Sequence, residues 1–261
     1  MNIAETPYVL RDDFGAVAQL TLNRGAQYNP LSLAMISALR THILEIRDDA
    51  SIKVVVLKGA GKGFCAGHDL KEMNANRNES WLNELFAQCS ALMHDILACP
   101  KPIIAQVHGV ASAAGCQLVA TCDLAIATAD TRFSLPGVNI GLFCSTPAVA
   151  VSRAIQTKHA LEMLLTGQSI SAQTAAEWGL INAAVSPPEI EAHVQRLTNA
   201  ISEKSTEVLA LGKKTFYEQA ELPRSDAYTV AGKAMTHNMF LEDSIEGIDA
   251  FLQKRSPRWR N

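Results

Sequence analysis

The sequence predicts an α/β fold, a spiral of strand-strand-helix units followed by a C-terminal helical segment. Short apolar runs bounded by turn residues, which are typical of strands, concentrate in the first half of the chain. From about residue 158 onward, apolar residues recur at helical spacing. Two Gly/Ala-rich turns, residues 59–70 and 108–118, each connect an apolar run to a helix. We therefore expect residues 1–196 to form the core with the ligand site and residues 197–261 to form the helical segment.

Apolar patterning in the first half predicts an N-terminal hairpin, further strands and three helices. A continuous apolar run such as residues 54–57 indicates a strand that is covered on both faces. Residues 31–47 carry apolar side chains at helical spacing and should form an amphipathic helix. In chain order, the predicted strands are residues 8–10, 16–22, 54–57, 102–107 and 124–127, and the predicted helices are residues 31–47, 81–97 and 116–120.

The second half is predicted to be helical after one long loop. Residues 133–146 are expected to form that loop, and Ser145-Thr146-Pro147 opens the next helix because proline is favoured in a first helical turn. No low-complexity linker separates the two halves of the chain. The remaining predicted helices are residues 160–165, 171–178, 189–201, 206–219, 228–239 and 245–253.

Composition excludes several classes of partner. With 48% hydrophobic residues, the chain can bury a substantial core and is not disordered. Its 23 Lys and Arg against 26 Asp and Glu leave a net charge of −3, so we expect no nucleic-acid partner. The most apolar region, residues 103–127, is interrupted by polar residues, so we expect no membrane span.

The six cysteines and the N-terminus predict the compartment. The cysteines lie in apolar or Gly/Ala surroundings without the paired spacing of a small secreted chain, so we expect reduced thiols. Residues 1–13 contain acidic side chains and lack an apolar segment, so we expect no signal peptide. Neither Cys65 with His68 nor Cys116 with Cys122 supplies a four-ligand metal set. The sequence therefore predicts a cytoplasmic protein without a metal centre.

The second Gly/Ala-rich turn indicates a site for an oxyanion. The first N–H groups of a helix have no intrahelical partner and carry the positive end of its dipole. A bulky side chain at Ala113, Ala114 or Gly115 would block a ligand from reaching those groups. Close packing between a strand and a helix would also select small residues, so the turn alone leaves both interpretations open.

Five motifs in this order resemble those of the crotonase (enoyl-CoA hydratase/isomerase) superfamily. Two Gly/Ala-rich turns that each follow an apolar strand can aim two backbone N–H groups at one oxygen. The resemblance covers nearly the whole chain and implies the crotonase-like spiral. The motifs are residues 63–73, 109–118, 122–127, 165–173 and 251–257.

This resemblance implies a coenzyme A (CoA) thioester as substrate and an enolate as intermediate. By family position, the oxyanion-hole N–H groups belong to His68 and Ala114, and both act through the backbone. CoA is then part of the substrate, and no permanently bound cofactor is expected. The resemblance also implies a homotrimer or a dimer of trimers. The residues expected to contact CoA are Ala66, His68, Asp69, Leu70, Phe251 and Lys254.

The sequence departs from the family at the two glutamates that activate water in the hydratases. Those positions map onto Gln117 and Gly137, and neither side chain can take up a proton at neutral pH. One general acid or base is typically worth about 10²–10⁴ in rate, so we expect slight or no hydratase activity. Candidate replacements are the His68 ring and, more weakly, Cys144 and Ser145. We expect Asp69 to cap a helix instead of acting as a base.

Three functional hypotheses remain open from the sequence. The first is an enzyme that stabilises a thioester enolate and performs isomerisation, decarboxylation, thioester hydrolysis or weak hydration. The second is an acyl-CoA-binding protein without turnover, which the missing glutamates favour. The third is a serine hydrolase with Ser112 as nucleophile, although the chain lacks the Gly-x-Ser-x-Gly elbow there.

Overall fold

A six-stranded sheet forms the centre of the computed structural model, which describes residues 6–260. Residues 1–5 and 261, at the ends of the two predicted segments, lie outside the described residues. The strands are β1 (Val9–Phe14), β2 (Val17–Leu22), β3 (Val54–Gly59), β4 (Ile103–Val107), β5 (Val110–Ser112), β6 (Leu124–Thr128), β7 (Arg132–Ser134), β8 (Ile170–Ser171) and β9 (Ala183–Val185). The large sheet has the order β1-β2-β3-β4-β6-β9, and the small sheet has the order β5-β7-β8.

The α-helices cover the sheet and fill the second half of the chain. Within residues 6–260, none of them is both long and apolar enough to cross a bilayer. The helices are α1 (Leu33–Asp48), α2 (Leu70–Ala75), α3 (Glu79–Ala98), α4 (Ala114–Thr121), α5 (Ser145–Ala154), α6 (Thr157–Thr166), α7 (Ala172–Trp178), α8 (Ile190–Ser202), α9 (Thr206–Ala220), α10 (Arg224–Asn238) and α11 (Glu242–Leu252).

Both faces of the large sheet are buried, which explains why its central strands are apolar throughout. Side chains that point to one face, such as Val55 and Leu57, belong to the main core together with the buried faces of α1 and α3. Val56 points to the opposite face and joins Ile190 and Val194 of α8 in a second cluster. Since β2, β3, β4, β6 and β9 run parallel, helical connections must cover the sheet on both sides.

The structure contains short strands that the sequence analysis missed. β5 lies inside the second predicted turn, and β7 overlaps the start of the predicted loop 133–146, which also contains a 3₁₀ helix at Pro136–Ile140. β8 and β9 lie in the half that was predicted to be helical. Strands of two or three residues are too short to show an alternating pattern, and their pairing partners are remote in sequence. β5, β7 and β8 form the small sheet, which fixes the second Gly/Ala-rich turn, whereas β9 pairs with β6 at the edge of the large sheet.

A partly buried polar cluster attaches the C-terminal helices to the core. The Asp123 carboxylate accepts hydrogen bonds from the Lys213 ammonium at 2.7 Å and the Tyr217 hydroxyl at 2.9 Å, both on α9. Lys213 also donates to the carbonyls of Ile96 and Lys101. The predicted division after residue 196 falls inside α8, whose first turns pack on the sheet.

Candidate active site

The two Gly/Ala-rich turns lie side by side and are joined by backbone hydrogen bonds. The Cys65 N–H donates to the Val110 carbonyl at 3.1 Å, and the Ser112 N–H donates to the Cys65 carbonyl at 2.9 Å. These bonds pair the first turn, residues 59–70, with β5 in parallel fashion. The two turns are therefore fixed relative to each other.

Gly67 brings the two predicted oxyanion-hole amides together. A Cβ placed on Gly67, which has φ +99°, would lie 3.3 Å from the Ala114 nitrogen and 2.9 Å from the Ala113 Cβ. The first turn thus touches the start of α4 directly. Neither the His68 N–H nor the Ala114 N–H has a hydrogen-bond acceptor within residues 6–260. Two such neighbouring donors can bind a single oxygen atom.

A strained residue aims the second amide. Ala113 has φ 48° and ψ −117°, a conformation that favours glycine. Its N–H donates to the Ser134 carbonyl of β7 at 2.9 Å. Ala114 follows as the first residue of α4, where N–H groups lack partners and carry the positive end of the helix dipole. After the sharp change of direction at Ala113, the Ala114 amide is left without an acceptor within residues 6–260.

Gly115 packs against the first turn. A Cβ on this residue would lie 2.2 Å from the Cys65 carbonyl oxygen. The sequence analysis expected a side chain at Gly115 to obstruct a ligand, but the structure places the first turn there instead. Glycine is required at this position because two backbones approach each other closely.

Asn29 holds the first turn in place, and the sequence analysis did not identify it. Its side chain is fully buried, and Nδ2 lies 2.9–3.0 Å from the carbonyl oxygens of Ala60, Gly63 and Phe64. Its Oδ1 accepts a hydrogen bond from the Arg24 N–H at 2.8 Å. The only sequence signal was an Asn-Pro pair in a loop, which is common in turns.

The His68 side chain is partly buried beside its own backbone amide. Nδ1 lies 3.2 Å from the Leu31 carbonyl oxygen, and the ring meets Phe86 edge to face at 5.6 Å between centroids. Nε2 is buried and has no hydrogen-bond partner within residues 6–260. Burial lowers the pKa of His68, and the hydrogen bond to Leu31 offsets part of this effect. The ring is therefore neutral near pH 7.

Gln117 and Gly137 are the two residues that the resemblance aligns with the hydratase glutamates. Gln117 is 4% exposed on α4, and its Oε1 is buried without a partner within the described chain. A Cβ on Gly137 would lie 2.9 Å from the Leu142 carbonyl oxygen and 3.0 Å from the Cys144 sulfur. A longer side chain at 137 would have to displace both groups.

Cys144 and Ser145, the weaker predicted replacements, lie where α5 begins. Cys144 is buried, and this burial raises the pKa of its thiol, so that it is uncharged at neutral pH. The Ser145 hydroxyl is exposed and donates weakly to the Phe143 carbonyl at 3.4 Å. Neither side chain is hydrogen-bonded to a base within residues 6–260, so neither is an activated nucleophile.

Four of the predicted CoA contacts, His68 among them, belong to the first turn. The Ala66 N–H donates to the Tyr28 carbonyl, and the residue is exposed. Asp69 caps α2, because its carboxylate accepts hydrogen bonds from the N–H groups of Lys71 and Glu72. The Leu70 side chain is about half exposed and can contact a ligand.

The other predicted CoA contacts lie at the end of α11. Phe251 is 82% exposed and therefore packs on little of its own chain. Lys254 follows the helix at a positive φ of 55° and is also exposed. Both side chains are available to a second subunit.

Ser112, the nucleophile of the serine-hydrolase hypothesis, pairs with another serine. Its hydroxyl accepts a hydrogen bond from the Ser134 hydroxyl at 3.0 Å. No imidazole is bonded to it within residues 6–260, so the geometry of a hydrolytic triad is missing there. In the same part of the chain, no group of three or more His, Cys, Asp or Glu side chains is arranged to hold a metal ion.

Known proteins share both the sequence and the architecture of this chain. The profile of the family described as enoyl-CoA hydratase/isomerase matches residues 13–261. The chain is 46% identical to enoyl-CoA hydratase domain-containing protein 3, mitochondrial, of Mus musculus over 93% of its own length and 81% of the relative. An enoyl-CoA hydratase structure from Mycobacterium smegmatis superposes with a TM-score of 0.96 at 46% identity, over 98% of this chain and 100% of that chain. The human enoyl-CoA hydratase domain-containing protein 3 superposes with a TM-score of 0.94 at 43% identity, over 97% and 100%.

These comparisons confirm two predictions and overturn a third. The family match and the sequence identity to relatives confirm the resemblance to the crotonase (enoyl-CoA hydratase/isomerase) superfamily. The structural similarity confirms the predicted fold class, with its C-terminal helical segment. The predicted cytoplasmic location is wrong, because the mouse and human relatives are named as mitochondrial proteins, which points to mitochondria instead. Reduced thiols had suggested the cytoplasm, but they do not distinguish it from another reducing compartment.

Proposed function

The chain belongs to the enoyl-CoA hydratase/isomerase family, and we propose that it binds a CoA thioester and stabilises the enolate of its acyl group. The His68 and Ala114 N–H groups hold the thioester oxygen. The observation that supports this most directly is the contact of Gly67 with the Ala114 nitrogen, which sets two acceptor-free amides side by side. Donors aimed at developing negative charge typically contribute about 10²–10³ in rate each.

The backbone arrangement serves several reactions that pass through an enolate. Negative charge moves onto the thioester oxygen whether water adds to C3, a proton leaves C2 or a carboxyl group is lost from C2. Two amides and the N-terminus of α4 stabilise this charge in each case. The acyl group decides which reaction follows, and CoA enters as part of the substrate.

The absence of a carboxylate at Gln117 and Gly137 favours a second candidate function. Gln117 has no basicity, and the space beside Gly137 is filled by the Leu142 carbonyl and the Cys144 sulfur. This chain therefore cannot hydrate a thioester by the mechanism that uses a pair of glutamates at these positions. The second candidate is an acyl-CoA-binding protein without turnover, and isomerisation, decarboxylation and thioester hydrolysis remain candidate reactions of the first.

The test of the amide pair changes the ligand, because the backbone cannot be mutated directly. Butyryl-CoA carries the carbonyl oxygen, and the thioether S-butyl-CoA is a matched ligand that lacks it. Two net hydrogen bonds of about 1 kcal/mol each predict binding of the thioester at least about tenfold tighter by calorimetry. Equal affinities would show that the two amides do not hydrogen-bond the thioester oxygen.

A panel of enoyl-, malonyl- and saturated acyl-CoA thioesters separates the two candidate functions. We expect product from at least one thioester that binds, as followed by chromatography of the CoA species. Micromolar binding of the panel with no product from any member would establish the binding protein.

We propose a homotrimer or a dimer of trimers as the assembly. Large apolar side chains of the C-terminal segment are exposed in the single chain, and exposed apolar surface of this kind indicates a protein–protein interface. A neighbouring subunit that covers them would bring Phe251 and Lys254 towards its CoA. A monomer by light scattering would contradict this assembly. The most exposed large apolar side chains of this C-terminal segment are Tyr228, Met235, Phe240, Phe251 and Leu252.

A further inference from the structure

Two buried polar atoms without partners belong to residues beside the amide pair. Within residues 6–260, the buried side-chain atoms that lack a hydrogen bond are His68 Nε2, Gln117 Oε1 and Ser202 Oγ. Leaving such a group unsatisfied costs about 1–3 kcal/mol. Two unsatisfied atoms, one from each Gly/Ala-rich turn, therefore indicate a group that enters with the ligand or from solvent.

The hydrogen bond of His68 decides which ring nitrogen carries the proton. The Leu31 carbonyl oxygen can only accept, so Nδ1 must donate to it. In the neutral ring, Nε2 then carries a lone pair and no proton. The unsatisfied atom of His68 is thus a basic acceptor.

From helix geometry, we expect Gln117 to direct its unsatisfied atom towards the N-terminus of α4, where the Ala114 amide lies. It lies one helical turn after Ala114, and helical side chains lean towards the N-terminus of the helix. Its Oε1 is also an acceptor. Two acceptors call for a molecule that donates two hydrogens, and water is the smallest such molecule.

We propose that one water molecule donates to His68 Nε2 and to Gln117 Oε1, and that His68 is the general base that adds this water to C3 of a 2-enoyl-CoA. This inference rests on the proposed binding of the thioester by the two amides. It assigns hydration to an imidazole in a site without the usual carboxylates.

The step balances without any other reactant. The water oxygen bonds to C3, its proton passes to His68 Nε2, and the electrons of the C2–C3 double bond move through C1 onto the thioester oxygen. The enolate oxygen is held by the His68 and Ala114 amides, and the new imidazolium lies near this negative charge. The imidazolium then returns the proton to C2, which regenerates the neutral ring and gives a 3-hydroxyacyl-CoA.

His68→Asn tests the side chain while it preserves the backbone amide. The asparagine Nδ2 can still donate to Leu31, as His68 Nδ1 does, but the basic Nε2 is lost. We expect hydration of crotonyl-CoA to fall about 10²–10³-fold in kcat. The Kd for butyryl-CoA, which cannot be hydrated, should stay within about threefold because the amides remain.

His68→Gln is the matched control for basicity. Its side-chain amide can reach towards the position of Nε2 and still hydrogen-bond a water, but it cannot take up a proton. We expect the same loss of kcat as in His68→Asn, with wild-type thermal stability as the check on folding. Wild-type kcat in His68→Gln would overturn the role as base, since hydrogen bonding alone would then suffice.

The outcomes separate this inference from the proposed function. Wild-type protein that does not bind butyryl-CoA would defeat the proposed function itself. Binding without hydration of crotonyl-CoA, or hydration unchanged in His68→Asn, would overturn the inference and leave the binding site intact. Release of free CoA in place of 3-hydroxybutyryl-CoA would also overturn it, because the attack would then be at C1.

Discussion

The two Gly/Ala-rich turns present one backbone amide each, but they reach this geometry by different means. The first turn relies on Gly67 at φ +99° and on the buried Asn29, which ties its carbonyls together. The second places Ala113 at φ 48°, and a helix begins at the next residue. The two turns therefore share a requirement for backbone geometry that leaves one amide without an acceptor. Side chains at these positions are free to vary, so His68 can carry a second role.

The largest effect is expected where the turns touch most closely. In Gly115→Ala, the new Cβ would lie 2.2 Å from the Cys65 carbonyl oxygen, and backbone cannot move aside cheaply. We expect a loss of about 3 kcal/mol or more in unfolding free energy, measured by urea denaturation. The control Gly212→Ala is also helical but meets nothing within 4 Å, and it should gain about 0.5–1 kcal/mol. Similar results for both variants would show that the turns do not constrain each other.

A smaller effect is expected at the first turn. Gly67→Ala combines an unfavourable φ with a Cβ at 2.9 Å from the Ala113 Cβ, so stability should fall by about 2–3 kcal/mol. The control Gly15→Ala shares a positive φ but has open space around it, and it should lose only about 1 kcal/mol. Of these two variants, only Gly67→Ala should bind butyryl-CoA more weakly than the wild type, as calorimetry would show. Unchanged affinity would argue against this contact as the organiser of the amide pair.

The smallest effect is expected from relieving the second turn. Ala113→Gly removes strain of about 1–2 kcal/mol at φ 48°, but it adds about 0.4–1 kcal/mol of unfolded-state entropy. We expect a net gain between zero and about 1.5 kcal/mol by urea denaturation. The same substitution should recover part of the loss in Gly67→Ala, because it removes the Cβ that the new methyl group meets. A clear destabilisation would mean that Ala113 is not strained.

The two turns also differ in the chemical groups that they contribute. In our proposal, the second turn contributes an amide and the dipole of α4, both of which stabilise the oxyanion. The first turn contributes an amide and, in our proposal, a base within the same residue. Substitutions of the His68 side chain therefore affect proton transfer, whereas substitutions at Gly67 affect the oxyanion hole.

Local pattern was sufficient to predict five of the six strands of the large sheet and most helices. The runs in β3, β4 and β6 are apolar because both sheet faces are buried, and α1 and α3 show helical spacing over several turns. The strands β5, β7, β8 and β9 left no such signal. Each is two or three residues long and exists because a distant partner supplies its hydrogen bonds.

The sequence by itself determined the order of the elements, the family and which positions lack a carboxylate, because these depend on residue identity and local spacing. Only the tertiary structure decided that Gly67 meets Ala114, that Asn29 holds the first turn and that the Cys144 sulfur fills the space beside Gly137. It also decided that His68 Nε2 and Gln117 Oε1 are buried without partners. These facts arise from contacts between segments far apart in the chain, where distance and direction, unlike residue type, follow from how the whole core packs.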